Sequence, residues 1–322
     1  RNPIHLYAAT AKLLGFPQAI ALASTFDTEL VEKIFALAAK EMRARGSNIA
    51  LAPVVDVARD PRWGRIEETY GEDPHLCAEI GLAAIRGFQG KTLPLAPDKV
   101  FVTLKHMTGH GQPENGTNVG PAQIAERTLR ENFFPPFERA VTELPVRSVM
   151  PSYNEIDGVP SHANRWLLTD ILRNEWGYKG SVQSDYFAIK EMTSRHQLTD
   201  KLDDVAVMAL HAGVDVELPD GETYTLLPQL VASGRVPLFE VDSSWPKVPT
   251  KWKLGDVSSI AIDPQGNAWV LHRPRTLKAD QAVMAAPPII VFDAAGNFKV
   301  LALDPFETVF ELIAFAFALG HA

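Results

Sequence analysis

Polar residues stand at the ends of five short apolar runs of this chain, where side chains that could do chemistry are expected to gather. The runs cover 49–56, 100–105, 146–153, 181–185 and 214–218. They end in, or lead directly into, Asp56, Lys105, His106, Tyr153, Asn154, Asp185 and Glu217. In a (β/α)₈ barrel the active site forms at the C-terminal ends of the strands, so this pattern predicts one shared rim of polar groups. The alternative is that polar residues merely mark where the chain leaves the core.

A nucleophile is predicted at Asp185, which ends the run 181–185 and precedes Tyr186. A carboxylate fixed at a strand end beside an aromatic face suits attack on a sugar ring that stacks on the aromatic. Asp185 could equally cap a helix that starts near Phe187, because aspartate is a favoured helix N-cap. Spacing alone leaves both interpretations open.

Lys105 and His106 open the run KHMTGHGQPENGTN, residues 105–118. A cation and an imidazole at a strand end can hold vicinal hydroxyl groups in a fixed geometry. His106 and His110 could also be metal ligands, but the glycines beside His110 predict a loop and no third ligand is evident. We therefore predict no metal site. The sequon Asn115-Gly116-Thr117 is short enough to occur by chance.

The run RDPRWGRIEETYGEDP, residues 59–74, mixes opposite charges with two aromatic residues. Such a density of charges predicts a salt-bridged loop that could hold one arginine rigidly toward the site. Structural scaffolding alone would explain most of these residues.

The elements that position these residues are predicted from periodicity. From residue 16 to about 237, helical stretches alternate with short β-rich runs, which is typical of βα units around a parallel sheet. Helices are predicted over 27–46, 74–88 and 121–141, the first capped by Asp27 and ended by Gly46. The later part shows two hairpins with D-x-x-G-N turns, over 257–271 and 289–301, and then a helix over 304–319.

Composition excludes several classes of protein. The 322 residues carry 31 Lys and Arg against 39 Asp and Glu, a net charge of −8, so the chain lacks the basic surface that nucleic acid binding needs. The longest apolar stretch, 312–319, is far shorter than the roughly 20 residues that span a bilayer, so no membrane segment is expected. Cys77 is the only cysteine, which excludes an intrachain disulfide.

Four runs resemble the catalytic barrel of glycoside hydrolase family 3, the β-glucosidase and β-xylosidase family. They are RDPRWGRIEETYGEDP, KHMTGHGQPENGTN, MPSYNEIDGVP and GYKGSVQSDY, and the resemblance covers about 16–237. It implies an α/β fold of the (β/α)₈ TIM-like class. It also implies a retaining exo-β-glycosidase that hydrolyses terminal β-D-glucosyl or β-D-xylosyl residues. Asp185 would be the nucleophile, with a second carboxyl about 5 to 5.5 Å away as acid and base.

The resemblance further implies substrate-binding residues at the other strand ends. Arg65, Lys105, His106 and Tyr153 would form the glycone subsite, with Met150 at its wall and Tyr186 beside it. The expected substrate is an oligosaccharide or an aryl β-glycoside, and no cofactor is implied. The compartment stays unknown, with the periplasm or secretion favoured over the cytoplasm.

The chain departs from the family pattern in two respects. Residues 1–14 do not match the segment that precedes the stretch at Gly15, so the first strand is expected to be incomplete. The family's usual acid/base, a Glu on a following sandwich domain, has no counterpart, and Glu114 is only the nearest local carboxylate. Oligomerisation or a C-terminal domain could supply it. Without it, the alternative function is a catalytically incomplete sugar-binding barrel, chimeric or truncated.

Residues 239–301 resemble one blade of an NHL-type β-propeller, and 307–320 resemble the closing helix of the family's barrel. We therefore predict three segments: a barrel over 1–238, a β-hairpin insertion over 239–301 and a closing helix over 302–322.

Overall fold

The structure is a computed structural model. It describes residues 15–236 continuously, and then 247–249, 251–254, 256–262, 267–273, 277–278, 280–281, 284, 286, 289–293 and 295–299. The chain divides into two compact units, Arg1–Val236 and Pro237–Ala322. The three-segment division predicted above stays a prediction, and the helix predicted over 304–319 lies outside the described residues.

Helices and short strands alternate through the first unit. The helices are α1 (Ala19–Ala23), α2 (Thr28–Ala44), α3 (Pro74–Gln89), α4 (Glu126–Thr128), α5 (Pro135–Glu143), α6 (Ala188–Ser194), α7 (Leu202–Ala212) and α8 (Leu227–Ala232). The strands are β1 (Ile49–Ala50), β2 (Phe101–Met107), β3 (Pro121–Ala122), β4 (Ser148–Pro151), β5 (Glu155–Ile156), β6 (Val159–Pro160) and β7 (Ser181–Val182). The π-helices are Leu129–Phe133 and Trp166–Glu175, and the 3₁₀ helices are Pro61–Trp63, Ile66–Glu68, Glu114–Gly116, Ser161–Ala163 and Tyr224–Leu226.

A parallel sheet of strand order β1-β2-β4-β7 organises this unit. Parallel bridges from Val54 to Lys105 and from Gln183 to Val216 extend the pairing beyond the regular strands. The predicted strand 49–56 is thus only partly regular, because Pro53 has no N–H to donate to a neighbouring strand. Since all the pairings are parallel, the carboxyl ends of the strands meet at one edge of the sheet.

Of the three helices predicted within this unit, two are confirmed with nearly the predicted bounds. The Asp27 carboxylate caps α2 by accepting a hydrogen bond from the Leu30 amide at 2.9 Å. The Asp73 carboxylate caps α3 in the same way, with the Leu76 amide as donor. The single helix predicted over 121–141 is wrong. That segment contains β3, α4, the π-helix Leu129–Phe133 and the first part of α5. Pro135 begins α5, where a missing N–H is tolerated.

The core of the first unit lies between the sheet and its covering helices. Val102, Leu104, Val149 and Val182 from the strands are fully buried, as are many residues of α3. Strands that are buried on both faces read as continuous apolar runs, which is why the sequence revealed them.

A four-stranded antiparallel sheet forms the second unit. Its strands are β8 (Asp256–Ile262), β9 (Ala268–Arg273), β10 (Ile289–Phe292) and β11 (Phe298–Lys299), paired in chain order. The two predicted hairpins are therefore confirmed where the structure describes them. Val270, Ala286, Ile290 and Phe292 form a small core of their own. Across the described residues of both units, no helix combines the length and apolarity that crossing a membrane requires.

Candidate active site

Asp185 lies just beyond β7, with its side chain 12% exposed. The Tyr186 amide donates to Asp185 Oδ1 at 2.7 Å, and the Asp185 amide donates to His162 Nε2 at 3.0 Å. Oδ2 is buried and has no hydrogen-bond partner among the described residues. Asp185 does not cap a helix, since α6 begins after Phe187 and has no side-chain cap. The capping interpretation is therefore wrong, and Oδ2 is left available for chemistry.

Burial and the neighbouring polar groups shift the pKa of Asp185 in opposite directions. Burial raises the pKa of Asp185, while Lys105, the Tyr186 amide and Arg65 act in the opposite direction. Burial also lowers the pKa of Lys105, an effect that the nearby Asp185 carboxylate offsets in part. A buried carboxylate stays ionised more readily when cations lie close to it.

The His106 ring lies within 3.5 Å of the candidate nucleophile Asp185 and also contacts Arg65 and Asp56. Its Nε2 lies 3.5 Å from Asp185 Oδ2 and 3.1 Å from Arg65 Nη2. Its Nδ1 lies 2.7 Å from Asp56 Oδ2. Burial lowers the pKa of His106 well below its usual value, and the Arg65 cation acts in the same direction. His106 is therefore a neutral imidazole at neutral pH.

The charged loop 59–74 holds Arg65 as the sequence predicted. Arg65 donates through Nε and Nη2 to the two oxygens of Glu68, at 3.0 and 2.8 Å. The Asn118 side-chain oxygen accepts from Trp63 Nε1 at 2.9 Å, and Arg65 Nη1 lies 3.5 Å from the same atom. A two-point pair fixes both the position and the plane of a guanidinium.

The other residues predicted for the site differ in their burial and in their contacts. The Tyr153 hydroxyl donates to the Tyr186 carbonyl at 2.9 Å, while Tyr186 itself is 45% exposed. Burial raises the pKa of Tyr153, which keeps its hydroxyl protonated. Met150 is buried in β4, in register with Lys105 of β2. Glu114, by contrast, is an exposed residue of the short helix Glu114–Gly116.

Sequence reasoning missed three buried residues that support the site. Asp56 was noticed only as a strand end, His110 only as a weak metal ligand, and His162 was not singled out. His110 packs between Trp63 and His106, tilted against the first ring and edge-on to the second, with ring centroids 4.8 and 4.7 Å away. It donates through Nε2 to the Asn118 carbonyl at 3.1 Å. The position of Asp56 at the end of an apolar run could have indicated its place in the site. No sequence pattern around His162 indicated that it lies there.

Asp56 adds a third potential metal ligand to His106 and His110, which the sequence alone did not reveal. Potential ligand atoms of the three residues lie within 4.8 Å of one another. However, both ring nitrogens of His106 already have close protein neighbours, and Arg65 and Lys105 add positive charge nearby. A zinc ion needs free lone pairs from its ligands, so the arrangement favours a hydrogen-bonded cluster over a metal centre.

Comparison with known proteins identifies the family. The sequence profile of the glycosyl hydrolase family 3 N terminal domain matches residues 9–250. The chain belongs to glycoside hydrolase family 3. Its fold is the TIM-like α/β barrel predicted from the strand ends. The profile stops at residue 250 and gives no support to the predicted similarity of 239–301 to a propeller blade, which stays a prediction.

Enzymes named β-xylosidase and β-glucosidase are among the relatives of this chain. A β-xylosidase of Formosa agariphila is 39% identical over 78% of this chain and 36% of its own length. A periplasmic β-glucosidase of Salmonella typhimurium is 37% identical over 71% of this chain and 30% of its own. The chain thus spans about a third of the length of these curated relatives.

Solved structures show the same similarity. A β-glucosidase of Erythrobacter marinus superposes with a TM-score of 0.68 and 41% identity, over 69% of this chain and 30% of its own. A β-glucosidase of Listeria innocua in complex with glucose gives a TM-score of 0.66 and 32% identity, over 69% of this chain and 31% of its own.

Proposed function

We propose that this chain carries the glycone site and the nucleophile of a retaining exo-β-glycosidase that acts on terminal β-D-glucosyl or β-D-xylosyl residues. The observation that carries the proposal is the Asp185 carboxylate. Its Oδ2 is buried at the carboxyl edge of the sheet, without a hydrogen-bond partner among the described residues and close to His106. Relatives named β-glucosidase and β-xylosidase support this substrate class.

The proposed reaction has two displacements. Asp185 Oδ2 attacks the anomeric carbon, the bond from that carbon to the leaving oxygen breaks, and a general acid protonates this oxygen. Water, deprotonated by the same group, then attacks the anomeric carbon and releases the Asp185 carboxylate. The identity of this acid/base is unassigned, because Glu114 is exposed and no contact ties it to Asp185.

The other predicted residues have binding roles in this proposal. Arg65, Lys105 and His106 lie close enough to Asp185 to shape its charge and to hold hydroxyl groups of a sugar beside it. Tyr153 fixes the backbone of Tyr186 through its hydroxyl. The exposed ring of Tyr186 then offers an aromatic face to the substrate.

Covalent labelling tests the nucleophile without requiring an acid. The chain is incubated with 2-deoxy-2-fluoro-β-glucosyl and β-xylosyl donors that carry an activated leaving group, which needs little protonation to depart. Peptide mass spectrometry should find a fluoroglycosyl adduct on Asp185, and comparison of the two donors gives the sugar preference. Asp185→Asn should not be labelled, whereas the surface variant Asp170→Asn should be labelled like the wild type.

The same experiment tests the alternative function. An adduct on Asp185, together with a burst but no steady turnover of an aryl β-glycoside, would identify a barrel without its acid/base. A folded chain that forms no adduct with either donor would contradict the proposed nucleophile.

A further inference from the structure

His106 is fully buried, and both of its ring nitrogens have a short polar contact. Nη2 of Arg65 lies 3.1 Å from Nε2, and Oδ2 of Asp56 lies 2.7 Å from Nδ1. The His106 amide also donates to the same Asp56 oxygen, at 3.3 Å. The Asp56 side chain is itself completely buried.

These contacts determine where the imidazole proton sits. A guanidinium nitrogen can only donate, so Nε2 of neutral His106 must present its lone pair to Arg65. The single ring proton is therefore on Nδ1 and is donated to Asp56 Oδ2. This assignment holds for both protonation states of Asp56, because a proton on Oδ1 leaves Oδ2 free to accept.

We propose that Asp56 is a positioning residue of the site: it holds His106 as the Nδ1–H tautomer, so that Nε2 anchors the Arg65 guanidinium beside the Asp185 carboxylate. This inference rests on the proposed function. The effect of Asp56 passes through His106, whose Nε2 is 3.5 Å from Asp185 Oδ2.

The opposite tautomer would disturb this arrangement. With its proton on Nε2, the ring would direct a donor at the donors of Arg65, and the two groups would have to separate. Arg65 also takes part in the pair with Glu68 and in the contact with Asn118. A shift of the guanidinium would therefore spread to the loop that carries it.

The contacts with His106 use only one of the two Asp56 oxygens. Its Oδ1 is buried and has no hydrogen-bond partner among the described residues. Asp56→Leu would leave the buried Nδ1–H and amide N–H of His106 without their acceptor, so it should also lower the stability of the fold. A purely structural role predicts a loss of stability alone, whereas a positioning role also predicts slower labelling of Asp185 and a changed His106 tautomer.

The test compares Asp56→Leu with Asp56→Asn. Leucine has a similar shape but no acceptor, whereas asparagine keeps an acceptor oxygen for Nδ1–H. In protein shown to be folded, Asp56→Leu should slow the labelling of Asp185 by the activated fluoroglycosyl donor roughly tenfold or more, because a misplaced binding group is costly. Asp56→Asn should label within about threefold of the wild type, since the tautomer is preserved. The surface variant Asp170→Leu is the matched control.

Nitrogen-15 NMR of the histidine side chains reads the tautomer directly. His106 should carry its proton on Nδ1 in the wild type and in Asp56→Asn, and should lose this preference in Asp56→Leu. A wild-type His106 protonated on Nε2, or an Asp56→Leu variant labelled as fast as the wild type, would overturn the inference. If Asp56→Leu does not fold, the tautomer of His106 in the wild-type protein is the test of the inference. If the wild type forms no adduct, the proposed function fails, and the NMR result still decides the role of Asp56.

Discussion

At the scale of single residues, the site depends on how burial and charge act on a few side chains. Asp185 is almost enclosed, which raises its pKa, and Lys105 is the first of the groups that lower it again. Burial likewise raises the pKa of Asp56, to about 8, against the opposing effect of Arg65. Both aspartates at this edge of the sheet are therefore expected to bind a proton at a higher pH than an exposed aspartate does.

The pH dependence of labelling follows from these directions. Attack requires the carboxylate, so the labelling rate should fall as the pH drops through the raised pKa of Asp185, above the usual value of about 3.9. Lys105→Met removes a positive charge that lowers the pKa of Asp185, so it should move this acidic limb to still higher pH. Labelling rates between pH 4 and 8, each normalised to its plateau, measure the shift.

Lys190→Met is the matched control for this prediction. Lys190 pairs with Glu222 at the surface, and its side chain is 45% exposed. An acidic limb that moves equally in both lysine variants would contradict a specific effect of Lys105 on Asp185.

At the scale of elements, the close approach of α2 and α3 depends on Gly87. A Cβ atom at this position would lie 2.5 Å from the Glu32 carbonyl and 2.7 Å from Phe35 Cβ, both in α2. Although alanine is the better helix former by about 1 kcal/mol, the two helices would have to separate to accept it. Glycine at this point is therefore a packing requirement between two helices.

Gly87→Ala should lower the free energy of unfolding by roughly 1 to 3 kcal/mol, the usual cost of overpacking a core. Urea unfolding followed by circular dichroism measures the change. Gly15→Ala is the control, since no atom lies within 4 Å of its added Cβ. An unchanged or increased stability of Gly87→Ala would show that α2 and α3 can separate without cost.

At the scale of the whole molecule, the chain contains two compact units with separate cores. The first unit ends at Val236, and the second has its own small core around Phe292. The catalytic proposal involves residues of the first unit alone.

A chain of residues 1–236 should therefore keep the far-UV circular dichroism of the barrel helices and still label Asp185. Full-length protein, treated in parallel, is the reference for the labelling rate and for the thermal transition. Aggregation of the shortened chain, or loss of the adduct in a folded one, would show that the barrel requires residues beyond 236.

Local patterns in the sequence were sufficient for the class of fold and for the approximate place of the site. Buried strands appear as apolar runs, and parallel pairing brings their carboxyl ends together, so Asp185, Lys105 and Tyr153 could be grouped without coordinates. Helices α2 and α3 were also predictable from their periodicity and their aspartate caps. The single helix expected over 121–141 failed, because apolar spacing does not reveal how a proline-containing segment divides.

Only the tertiary structure decided which of these groups touch. Asp56 and His106 are 50 residues apart in the chain, and Arg65 and His106 are 41 apart. No local pattern encodes such contacts, because they depend on the register of neighbouring strands and on the path of the loop between them. The same physical reason explains why the sequence by itself indicated a carboxylate at Asp185, while its burial, its free oxygen and its surrounding charges emerged only when the strands were assembled into one sheet.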